Sequence, residues 1–130
     1  MSKKEELGEI SYTRLGFEDH GFFTFAIGFD FGGSGQGIGD CILCARDADP
    51  LEMDEREKTF TAGGIVIIER ILSAVGAEKW EDLVGKVCWV RRDGNNKIVE
   101  IEAPDFVKHR GAFNLDKFYA RIKKKYPDNS

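Results

Sequence analysis

The chain has 130 residues, 42% of them apolar and ten of them Phe, with a formal net charge of −4. That suffices for one domain with a modest core, and the acidic balance argues against general nucleic-acid binding. No apolar run approaches the ~20 residues of a membrane helix, and the charged start Met1-Ser2-Lys3-Lys4-Glu5-Glu6 lacks the apolar segment of a secretion signal.

The first strand is expected over Glu9 to Phe17, with Ile10, Tyr12 and Arg14 alternating against Ser11 and Thr13. Glu18-Asp19-His20-Gly21 reads as a turn. Phe22 to Phe31 gives the cleanest period-two signal: Phe23, Phe25, Ile27, Phe29 and Phe31 share one face, and Thr24, Ala26, Gly28 and Asp30 the other.

Five glycines then fall within the eight positions from Gly32 to Gly39. Glycine in a strand context marks positive φ or close approach of another group. A P-loop requires Lys and a hydroxyl after its last glycine, but Asp40 and Cys41 follow here. A dinucleotide fingerprint runs into a helix, whereas Gly33, Gly35, Gly37 and Gly39 alternate and lead into a strand over Gly37 to Ala45. The stretch reads as a side-chain-free hairpin or sheet-packing segment, a partner-binding surface, or a small-ligand site. Gly33, Ser34, Gly35, Gln36 and Gly37, with Trp89, form a candidate contact surface.

Ile65, Ile68, Leu72 and Val75 recur at helical spacing, with Thr61 as the expected N-cap and Gly76 at the C′ position, while the β-branched run Ile65-Val66-Ile67-Ile68 leaves a strand open for the first turn. A helical turn at Glu78 to Leu83 leads to strands at Lys86 to Arg92 and Lys97 to Ala103 around the turn Asp93-Gly94-Asn95-Asn96. Trp89 shares parity with Val87 and Arg91, and Cys88 with Val90; one of these faces is core. Asn114 is expected to cap a final helix with the stripe Leu115, Phe118, Tyr119, Ile122 and Tyr126. The expected organisation is a single α+β domain over 1–130, with 1–8 flexible and 46–60 an acidic loop. An antiparallel sheet of about five strands packs on the central helix, with the amphipathic C-terminal helix on one face or edge.

Charge is unevenly spread. Asp40 to Lys58 holds seven acids and three bases, whereas Lys108 to Lys125 holds seven bases and one acid. Asp47, Asp49, Glu52, Asp54, Glu55 and Glu57 are therefore candidates for contact with a basic partner surface. Lys108, Arg110, Lys117, Arg121 and Lys123 to Lys125 suit phosphate contacts or a solvated helix face. Cys41 and Cys44 have C-x-x-C spacing, but Cys88, His20 and His109 offer no second pair for zinc, so the cysteines read as reduced structural thiols in a cytosolic protein. His20 with Glu18 and Asp19 could form an acid–base cluster, and a turn is also where such residues sit. No catalytic arrangement, metal site or cofactor is expected.

Two stretches carry a resemblance. One runs from His20-Gly21-Phe22-Phe23-Thr24-Phe25 through Asp30-Phe31-Gly32-Gly33-Ser34-Gly35-Gln36-Gly37; the other is Ile71-Leu72-Ser73-Ala74-Val75-Gly76 followed by Trp80-Glu81-Asp82-Leu83-Val84-Gly85-Lys86. Together they resemble a family of small proteins encoded by bacteriophages and prophages. The likeness spans Tyr12 to Ile101, leaves out the C-terminal helix, and departs at Asp40-Cys41, where an aromatic following a further glycine is the family's habit. It implies an accessory protein acting in the cytoplasm of a bacterial host, and transfers no catalytic residue. Size, acidity and origin suggest a non-enzymatic inhibitor of host defence, such as an anti-CRISPR protein, bound to a defence complex. The alternatives are a nucleotide or small-ligand binder using the glycine stretch and Gly63-Gly64, and a phage structural or assembly protein; an enzyme comes last.

Overall fold

Six strands pair in the order β3-β2-β1-β4-β5-β6, every neighbouring pair antiparallel, in a computed structural model that describes residues 5–18, 21–44 and 47–125. The strands are β1 (Glu5–Phe17), β2 (Phe23–Asp30), β3 (Gly35–Cys44), β4 (Val87–Arg92), β5 (Ile98–Glu102) and β6 (Phe113–Asn114). The helices are α1 (Glu55–Val75) and α2 (Leu115–Lys125), with a single 3-10 turn at Trp80–Asp82. The α+β class is as expected. The sixth strand escapes the sequence because β6 is two residues long and is defined by its pairing with Glu100 and Ile101.

The aromatic face of β2 builds the core. Phe25, Ile27 and Phe29 are fully enclosed with Ile10, Cys88, Val90 and Ile101 of the sheet and Ile67 and Ile71 of α1. Each such side chain contributes roughly 1.5–3 kcal/mol on burial. Burial also pushes the Cys88 thiol up to about 12, so it stays protonated at neutral pH.

Three expectations change in the structure. Residues 5–8, expected to be flexible, form the start of β1 and pair Glu5 through Gly8 with Arg91 through Cys88 of β4. A register shift between Ile10 and Tyr12 leaves Ser11 out of the pairing with β2. Such a bulge switches the alternation. Ile10, Thr13 and Leu15 therefore lie opposite Phe29, Ile27 and Phe25, while Tyr12 and Arg14 turn to the outer face opposite Gly28 and Ala26.

The third change is the largest. Only 47–54 of the expected acidic loop is loop among the described residues, because α1 begins at Glu55. Asp54, not Thr61, is the N-cap: its carboxylate accepts from the amide of Glu57 at 2.8 Å. Glu55 and Glu57 lie in the first turn, where the helix dipole favours acids. The buried stripe is Gly63, Gly64, Ile67, Ile71, Ala74 and Val75, and Ile65, assigned to it from spacing, is 71% exposed. The glycine pair is therefore inside the helix, where it admits close neighbours. A β-carbon on Gly64 would stand 3.0 Å from the Leu43 carbonyl oxygen, and one on Gly63 would stand 2.7 Å from Ile122 Cδ1. The C-terminus is as expected, with Gly76 at φ 82° donating to Leu72 O.

Candidate functional site

The loop before α1, the first half of α1, the end of β3 and one flank of α2 enclose a cleft of about 1100 Å³. Its floor is apolar and mostly covered: Leu43, Phe60, Gly63, Gly64, Ile67, Tyr119 and Ile122. Its rim is exposed and acidic, with Asp47, Asp49, Glu52 and Glu57 joined by Asp116 from α2. Lys97 and Lys123 also line it, and Lys97 bonds Asp116 at 3.3 Å.

Local chemistry places these acids. Asp49 closes a turn by accepting from the amides of Leu51 (side chain, 2.9 Å) and Glu52 (carbonyl, 3.0 Å). Asp47 sits at φ 57°, a left-handed conformation that Asp tolerates better than most residues. Glu57 projects from the first turn of α1. Close approach at Gly63 and Gly64 brings α2 and β3 onto α1, and that approach shapes the floor. On the α2 side, burial pushes the Tyr119 phenol up to about 12, so it remains a neutral wall of the cleft.

Four of the six acids singled out from sequence thus line one cleft. Asp54 and Glu55 do not: Asp54 is the helix cap, and Glu55 pairs with Lys58 at 3.5 Å. Asp116, Tyr119 and Ile122 were missed as site residues, since only the docking of α2 on α1 brings them there.

The glycine stretch is the tip of the β2–β3 hairpin. Gly32 (φ 91°) donates to Asp30 Oδ1 at 2.8 Å, and Phe31 N donates to Ser34 O at 2.9 Å. Gly33 and Ser34 are exposed, and Gly35 and Gly37 lie on β3, the edge strand. Gly37 is spoken for by the fold. The ring of Tyr12 crosses the outer face over Gly28 and reaches Gly37, which would meet its hydroxyl at 3.4 Å if it carried a β-carbon. Gln36 is likewise engaged. Its Oε1 accepts from Arg92 Nε and its Nε2 donates to Asn96 O, each at 2.6 Å. Arg92 also stacks over the Phe31 ring at 4.7 Å and pairs with Glu6 at 3.2 Å, in a nearly enclosed corner. Gln36 therefore joins two hairpin tips.

Trp89 lies on the outer face, half-buried, opposite Leu7 and Glu102, with β1 and β2 between it and Gly35–Gly37. Cys88 and Val90 form the core face of β4. Beside Trp89, Arg91 bonds three carboxylates, Glu5 (3.1 Å), Glu100 (2.7 Å) and Glu102 (2.9 Å). Partial burial opposes its charge, but the bonds to Glu102, Glu5 and Glu100 outweigh this and raise its pKa. The bond from Arg91, then that from His109, holds the Glu102 carboxyl below its ordinary value.

Asp19 and His20, the core of the proposed acid–base cluster, lie outside the described residues. Cys41 and Cys44 are half-buried, and among the described residues no three His, Cys, Asp or Glu side chains converge on a metal-sized site. Comparison with protein families, curated proteins and solved structures finds no match to this chain.

Proposed function

We propose that the chain is a non-enzymatic, phage-encoded inhibitor that binds a protein complex of the host's defence machinery. The single observation that carries this reading is the acid-rimmed apolar cleft, where Asp47, Asp49, Glu52 and Glu57 surround a floor of Leu43, Ile67, Tyr119 and Ile122. An acidic rim steers and orients a basic surface, while an apolar floor supplies the affinity. A defence effector that grips nucleic acid presents such a surface, with Lys and Arg along its channel. The phage-family resemblance supplies the setting, the cytoplasm of a bacterial host. No helix among the described residues is long and apolar enough to cross a membrane.

The test is a variant with Asp47, Asp49, Glu52 and Glu57 all changed to Lys, compared with wild type in pull-downs from the bacterial host. A partner defence complex retained by wild type should be lost from the variant, and protection of an infecting phage should be lost with it. Equal recovery of the same complex by both proteins would sink the mechanism.

A further inference from the structure

On the other flank of α2, a second cleft has the opposite charge. It holds about 320 Å³ and is lined by Arg70, Ser73, Arg110, Lys117 and Arg121, with Phe113 and Phe118 on its apolar side. Four cations thus converge in a chain whose net charge is −4.

Each helix contributes through its periodicity. Arg70 and Ser73 are one turn apart on α1, and Lys117 and Arg121 are one turn apart on α2. Arg110 is brought over by the connection into β6, whose backbone is fastened to α1 where Arg110 N donates to Ser73 O at 3.0 Å. Glu69 braces this side. It bonds Arg70 at 3.0 Å, accepts from the Ser73 hydroxyl, and stands 3.9 Å from Arg110. The Ser73 bond, then the charges of Arg70 and Arg110, hold the Glu69 carboxyl ionised below its usual range. One carboxylate does not balance four cations. Lys117 and Arg121 make no side-chain ion pair among the described residues.

We propose that this cleft binds a small phosphate-bearing ligand of about nucleotide size. Three guanidinium forks and an ammonium suit the several oxygens of a phosphate or diphosphate, which accept paired bonds from Arg. The volume lies at the small end of ligand pockets, short of what an extended polymer occupies. Phe113 and Phe118, in edge contact at 5.7 Å, offer an apolar wall for a ring beside the charged end. Free diphosphate and a nucleoside diphosphate share this chemistry and are separated by experiment.

The probes are inorganic diphosphate and ADP, titrated calorimetrically into the full chain at low salt. Both should bind saturably, and the paired change Lys117→Gln with Arg121→Gln should weaken them by at least about tenfold without altering ligand-free thermal unfolding. Similar affinities would place recognition in the phosphates, whereas tighter ADP would place the nucleoside against the Phe113–Phe118 wall. No saturable binding of either probe at millimolar concentration would overturn the proposal. So would unchanged affinity in the paired variant, or binding only to a single-stranded oligonucleotide.

Discussion

Tyr12 lies so flat across Gly28 that a β-carbon at position 28 would fall 2.0 Å from its Cε1. The contact explains the glycines at 28 and 37. The bulge at Ser11 sends Tyr12 to the outer face, and the ring then needs bare backbone on β2 and β3 beneath it. Gly28→Ala should therefore displace the ring and cost about 1–3 kcal/mol. In urea unfolding, Tyr12→Ala combined with Gly28→Ala should lose less than the sum of the single changes, because both act on one contact.

The two α1 glycines should respond differently to Ala. Gly64 faces the Leu43 backbone, with its carbonyl oxygen at 3.0 Å and Cα at 3.2 Å, and backbone cannot step aside cheaply. Gly64→Ala should destabilise by about 1–2 kcal/mol despite its better helix propensity. Gly63 faces the tip of Ile122, which can rotate away. Gly63→Ala should be stabilising by about 0.5 kcal/mol, since the propensity gain outweighs a small repacking. Thermal unfolding of the two variants decides the contrast.

Asp54→Ala should cost about 1 kcal/mol through loss of the cap to Glu57 N, and Asp54→Asn should recover most of it. Neither change should weaken partner binding, because Asp54 is not among the residues lining the acid-rimmed cleft. Loss of binding in Asp54→Asn at full stability would show that this acid acts at the interface after all.

His109 supplies a pH signature. Its side chain is 13% exposed, with Nδ1 2.7 Å from Val107 O and Nε2 3.4 Å from Glu102. The bond to Val107, then that to Glu102, raises its pKa above the ordinary 6.5. A raised folded-state pKa stabilises fully below the unfolded value and loses that contribution as pH climbs through the folded one. Stability should thus fall as pH climbs above the ordinary 6.5 and through the raised folded-state value, and His109→Gln should flatten that part of the profile. An identical slope in the variant would remove His109 as its source.

Legibility followed distance along the chain. Asn114, whose Oδ1 accepts from Lys117 N at 2.9 Å, and Gly76, whose amide closes on Leu72, act within one turn and were readable as caps. The start of α1 was not. Gly63-Gly64 suggests a helix boundary, and only packing against Leu43 and Ile122 shows why a helix keeps them in its interior. The acids were visible as a cluster, yet their division into a cleft rim and a cap depends on α1 beginning at Glu55, just after Asp54. Arg110, Lys117 and Arg121 were legible as cations suited to phosphate, but Asp116 and Arg70 were not placed, because only the docking of α2 on α1 gathers each with its cleft.

The bond from Gln36 to Asn96 joins residues 60 apart in sequence and ties the tips of two hairpins that can each form from local pairing. A contact of that separation carries a larger closure cost than the local pairing within either hairpin, so it is expected to act as a latch on the finished sheet. Its loss speeds opening while leaving the rate of folding nearly unchanged. The glycine hairpin is thus moored at its tip, through one side chain, to a turn two strands away across the sheet.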